Sequence, residues 1–122
     1  MMQATNNLEQ LTMQYLVAFA SQDLDSLETM FSDGVVLFDP MIQELRSKAK
    51  VLEMNKAIFA ATEKITLISK RIIADSAQNT VAAQLKLDFD GKIIDVVDII
   101  EFNEAGKIVA ITAYLDSKQV TG

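Results

Sequence analysis

The chain of 122 residues contains no cysteine, no histidine and no tryptophan. The absence of cysteine excludes disulfides, thiolate nucleophiles and Cys-based metal sites. Without histidine, neither a Ser-His-Asp triad nor a His general base nor a His-ligated zinc site can be built. Acid–base chemistry therefore falls to Asp, Glu, Tyr or Lys. A single proline and four glycines leave no room for a fibrous or disordered reading. Basic residues are also scarce, 11 against 17 acidic ones, for a net charge of −6, so nucleic acid and anionic membrane are not expected partners. No stretch approaches the ~18 consecutive apolar residues of a membrane span. The opening MMQATNNLEQ lacks a basic patch followed by an apolar run, so no signal peptide is expected and the expected location is cytoplasmic.

What is present is a hydrophobic half, enough for one ordinary domain over residues 1–122 with a core of its own. The most informative stretch is Lys92 to Asn103, KIIDVVDIIEFN. At the period of a strand its even positions are Ile94, Val96, Asp98, Ile100 and Phe102, so Asp98 stands in an otherwise apolar row. Burying that carboxylate without a partner costs several kcal/mol or more. Desolvation raises a carboxyl pKa, so a neutral, hydrogen-bond-donating Asp98 is the physically reasonable form.

Helical spacing of Leu8, Leu11, Tyr15, Ala18 and Phe19 predicts a helix from about Asn6 to Gln22, with Tyr15 on its apolar stripe. Asp23 is a cap for a second helix, LDSLETMF, and Ser32-Asp33-Gly34 reads as the turn that ends it. A short strand follows from Val35 to Asp39, whose inward row Val35, Leu37, Asp39 ends on a second acid. Asp39 also opens an Asp-Pro turn. Met41 to Arg46 reads as a loop, and Ser47 as the cap of a third helix to about Thr62. Four strands are then expected: Ile65–Ala74, Thr80–Asp90, the Asp98 stretch, and Lys107–Asp116. Asp90-Gly91 is a strong hairpin signal between the second and third. Helices first and a strand meander after them predict an α+β fold, three helices on a strongly curved, mostly antiparallel sheet that forms a cone with an apolar interior.

QYLVAFASQDLDSLETMFSDGVVLFDP and DVVDIIEFNEAGKIVAITAYLD resemble the two signature blocks of the bacterial ketosteroid isomerases (steroid delta-isomerases), within the NTF2-like, or SnoaL-like, superfamily. The resemblance runs from about Leu8 to Val120. It implies that Tyr15 is an oxyanion-hole donor, Asp39 a general base, and Asp98 the protonated acid that shares the oxyanion hole. It further implies a cofactor-free and metal-free isomerase that moves a C=C bond into conjugation with a ketone, acting as a homodimer on a small apolar ketone or steroid-like ligand. An extended sheet face carrying Ile93, Val97 and Ile99 is compatible with a dimer.

The chain departs from that family in having only two tyrosines and few aromatics. The expected substrate cleft is therefore aliphatic, lined by Met13, Leu37, Phe59, Leu85, Phe89, Val96 and Ile100, with Tyr114 and Leu115 from the last strand. Superfamily enzymes that depend on histidine are excluded, and an Asp-Arg-Asp hydrolase would have to use Arg46 or Arg71. A domain that binds a small molecule without turning it over is the alternative reading, and another SnoaL-like lyase or hydrolase a further one.

Overall fold

The structure, a computed structural model, describes residues 2–121. Helices α1 (Met2–Ala20) and α2 (Leu24–Met30) come first, then strands β1 (Phe31–Asp39) and β2 (Gln43–Arg46), and helix α3 (Lys48–Ala61). Strands β3 (Ile65–Asp75), β4 (Thr80–Phe89), β5 (Lys92–Phe102) and β6 (Ile108–Tyr114) follow, and a short helix α4 (Lys118–Thr121) comes last. The six strands form one mixed sheet in the order β2-β1-β6-β5-β4-β3. Among the described residues only the β1–β6 pair is parallel. The sheet is not closed into a barrel, and register shifts in β1–β6, β3–β4 and β5–β6 supply the local bends that bulges introduce.

Local chemistry sets the element ends where the sequence predicts them. The Asp23 side chain accepts from the Ser26 N–H and caps α2, and Ser47 does the same for α3 through the Lys50 N–H. Asp90 (φ 54°) and Gly91 (φ 95°) are both left-handed, as a two-residue hairpin turn requires. The Asp90 carboxylate also accepts from the Glu63 and Lys64 N–H groups at 2.9 and 2.8 Å, which ties the β4–β5 hairpin to the link between α3 and β3.

The inner face of the sheet packs under the helices, α1 against β3 and β4, and α3 against β1 and β2. The alternation expected for β4 and β5 is the one observed: Val81, Ala83, Leu85 and Leu87 are buried, as are Ile94, Val96, Ile100 and Phe102.

Three expectations give way. Met41–Arg46 is not wholly loop, because Gln43–Arg46 pairs antiparallel with β1, from Val36↔Arg46 to Asp39↔Gln43. Phe31 to Gly34 does not end a helix but begins β1, with Phe31 paired to Ile108. The last strand stops at Tyr114, two residues short of the expected Asp116, and α4 follows it, held where Gln119 pairs with the backbone of Asp95 through both its amide atoms.

Candidate active site

A cavity of about 390 Å³ lies between the inner sheet face and the helices. Eighteen of its lining side chains are apolar and five are not: Tyr15, Asp39, Asn55, Lys92 and Asp98. Its size falls at the lower end of small-molecule sites, and its apolar walls with a few polar groups are typical of them.

Asp98 owes its place to the register of three strands. On β4 its partner is Ala83 and on β6 its partner is Ala113. One residue pair along, the same neighbours are large: Ile100 faces Val81 and Ile111, and Val96 faces Leu85. Two methyl-sized side chains therefore flank the one acid of the row and leave its carboxyl uncovered on the cavity side. Asp39 enters from β1. It follows Phe38, which pairs with Thr112 of β6, so it comes level with Ala113 of β6, two strands from Asp98. Strand spacing puts the two backbones roughly 10 Å apart, with the small Ala113 between them. The Asp39 carboxylate is held by the turn it opens, accepting from the Met41 N–H at 2.8 Å.

Tyr15 comes from α1, buried to 7% exposure and braced by Phe19 and Phe31, whose ring centres lie 6.5 and 6.2 Å away. Among the described residues its hydroxyl has no hydrogen-bond partner, yet the atom is not sealed off. It is a donor directed at the cavity.

The electrostatics follow from this placement. Burial, and then the negative charge of Asp39, push the Asp98 carboxyl up to about 7. Burial, and then the charge of Asp98, push the Tyr15 hydroxyl far above its ordinary value. Below neutral pH the cavity thus holds a phenol and a largely protonated carboxylic acid, two donors whose ionisation the surroundings oppose. Among the described residues no three acidic side chains gather as a metal site would need.

The family model of the SnoaL-like domain matches residues 13–111 of this chain. The chain belongs to the SnoaL-like domain family. Its α+β architecture is the NTF2-like fold, and solved structures share it at low identity. A proposed polyketide cyclase from Xanthomonas campestris pv. campestris superposes with a TM-score of 0.83 at 14% identity, over 96% of each chain. A proposed ketosteroid isomerase from Kribbella flavida gives 0.75 at 16% identity, covering 92% of this chain and 79% of the other. A steroid delta-isomerase from Pseudomonas aeruginosa gives 0.69 at 17%, covering 90% and 80%. At such identities the likeness is one of fold.

Within this SnoaL-like domain, Tyr15, Asp39 and Asp98 line one cavity, as do Leu37, Leu85, Phe89, Val96 and Leu115. Four residues expected in the cleft stand elsewhere. Met13 lies on the far side of α1 beside Lys70 and Ile72. Phe59 packs behind Phe19, ring centres 5.5 Å apart. Ile100 is wholly buried in the core, and Tyr114 is 62% exposed on the outer sheet face. Tyr114 pairs with Val97, one residue out of phase with the inward row of Asp98 and Ala113.

Several lining residues are absent from the sequence-based expectation. Val51, Met54, Asn55 and Ile58 of α3 line the cavity, at the i, i+3, i+4, i+7 spacing that marks one helix face. Met41, Ile42, Lys92 and Val120 also line it. The Lys92 ammonium donates to the Val120 carbonyl, linking β5 to α4. Arg46 and Arg71 are exposed and lie outside the cavity.

Proposed function

We propose that this SnoaL-like domain is a cofactor-free isomerase of the ketosteroid isomerase type. Asp39, as carboxylate, takes a proton from the carbon between a ketone and an isolated C=C. The released electron pair delocalises through the carbonyl, giving a dienolate whose oxygen carries the charge. The Tyr15 O–H and the Asp98 carboxylic acid donate to that oxygen. Asp39 then returns its proton two carbons further along, which leaves the conjugated enone with no net gain or loss of atoms. A protonated acid serving as an oxyanion-hole donor is the arrangement described for ketosteroid isomerase.

The observation that carries this reading is the pairing of Asp98 with two alanines, Ala83 and Ala113, in a wall shared with Tyr15 and Asp39. Donors held in an apolar site are worth more at a developing charge than the same donors in water. The cavity's cation is Lys92 and no arginine lines it, which weighs against an Asp-Arg-Asp hydrolase. Ultraviolet detection of conjugated enone from a β,γ-unsaturated ketone tests the reading, with Asp39→Asn as the comparison.

The second reading, a binding domain without turnover, is favoured by the preponderance of apolar side chains around the cavity. We also propose a homodimer through the outer sheet face, where Phe38, Ile73, Ile93 and Tyr114 are exposed beside Val97 and Ile99. Exposed apolar side chains grouped on one sheet face are the kind of surface that marks an interaction site.

A further inference from the structure

Asn55 lies in the middle of the inward stripe of α3, with Val51, Met54 and Ile58 around it. It is 3% exposed and, Tyr15 aside, one of two buried polar side chains among the described residues. The other, Thr12, is satisfied by the Leu8 carbonyl at 2.8 Å. The Asn55 amide has no hydrogen-bond partner among the described residues, yet neither its oxygen nor its nitrogen is sealed off. For a side chain this buried, the surface those atoms keep belongs to the cavity that Asn55 lines.

An amide costs free energy to hold in an apolar wall without a partner, and Asn is also a poorer helix former than Leu or Met. A leucine would satisfy both the stripe and the helix. A local rule broken in this way marks a site. The amide stands on α3, whereas Tyr15 stands on α1 and Asp98 on β5, so a ligand oxygen held by the latter pair leaves Asn55 to meet another part of the molecule. An amide offers one acceptor and a donor group, which suits a hydroxyl or a carbonyl. A neutral amide among apolar neighbours cannot offset the desolvation of an ionised group.

We propose that Asn55 is a specificity-determining residue that hydrogen-bonds a second, uncharged oxygen of the ligand, so that the cavity selects hydroxy- or keto-substituted apolar ketones over their bare hydrocarbon analogues. The inference rests on reading the cavity as a ligand site, and it deepens that reading by naming the substrate class.

The test is equilibrium binding, below neutral pH, of β-naphthol and of dihydroxynaphthalenes carrying the second hydroxyl on the far ring. These share one compact apolar body and a phenol for the Tyr15–Asp98 pair. The unmodified protein is compared with Asn55→Leu and Asn55→Ala, each checked for folding by thermal unfolding, so that one variant serves if the other fails to fold. At least one dihydroxy isomer binds the unmodified protein about tenfold tighter than β-naphthol, and both variants lose that preference. Equal binding of all probes to the unmodified protein, or a preference that survives in the variants, overturns the role of Asn55 alone. Failure of every probe to bind overturns the cavity reading and this inference with it. Turnover does not enter the measurement, so absence of isomerase activity leaves the result for Asn55 standing.

Discussion

A carboxyl group between two alanines gives this cavity its character. In the unfolded chain Asp98 ionises near 3.8, whereas the folded protein keeps its proton up to about 7. Between those values the folded state binds more protons than the unfolded state, so stability falls as pH rises. The contribution is complete below about pH 4 and lost above about pH 7, and it amounts to a few kcal/mol. Asp98→Asn should remove it: urea unfolding at pH values on either side of that window will show a smaller loss in the variant. The other titratable groups of the cavity are Tyr15, Asp39 and Lys92, and the variant leaves all three in place. The same proton governs the donor pair, so a phenol probe should bind the unmodified protein more weakly as pH rises through about 7. Asp98→Asn, which keeps a donor, flattens that decline. The flanking alanine makes a separate prediction. Ala113→Leu fills the space between the two acids, costing about 1–3 kcal/mol by overpacking and abolishing probe binding; a variant that binds normally contradicts the assigned role of that space.

Elements differed in how plainly the sequence announces them. β4 and β5 alternate cleanly because one of their faces is core and the other is not, and the alternation alone singles out Asp98. Asp39 is legible for the same reason on β1, and the Asp23 and Ser47 caps and the Asp90-Gly91 turn follow from side-chain chemistry that acts within three residues. β2 is not legible, because GlnGluLeuArg is mostly exposed and polar on both faces and its pairing with β1 is decided by the Asp-Pro turn before it. Four residues of α4 carry too little pattern to predict, and what holds them is the long-range contact from Gln119 to Asp95. Asn55 is not legible because a lone polar residue in a helix with the exposed lysines Lys50 and Lys56 and a modest apolar stripe reads as surface; its burial follows from the packing of α3 on β1 and α2. Tyr114 fell on the outer face because a strand's phase is fixed by pairing, and the sequence of β6 is apolar on both faces. The hairpin tie gives the prediction at this scale. Asp90→Ala leaves two backbone N–H groups without their carboxylate and puts alanine at a positive φ, and should cost about 2 kcal/mol in urea unfolding. A loss near zero would mean that Asp90 does not hold α3 to the hairpin.

The whole molecule combines a small apolar cavity, an acid pair separated by one strand, and an outer sheet face with exposed aromatic and aliphatic side chains. The family and the NTF2-like fold account for the scaffold, while the chemistry rests on a few side chains placed within it. If the outer face is a dimer interface, sedimentation at micromolar concentration will give a dimer, and Tyr114→Lys together with Val97→Lys will give a monomer; a monomeric unmodified protein would remove the proposal. The central claim is that Asp39 shuttles a proton against the Tyr15–Asp98 pair. It is tested most directly by the ultraviolet absorbance of conjugated enone formed from a β,γ-unsaturated 3-ketosteroid and from smaller bicyclic ketones, with Asp39→Asn measured beside the unmodified protein. The account predicts turnover that falls by at least about a hundredfold in the variant. Turnover that persists undiminished in Asp39→Asn, or no turnover of any ketone that demonstrably occupies the cavity, would contradict it.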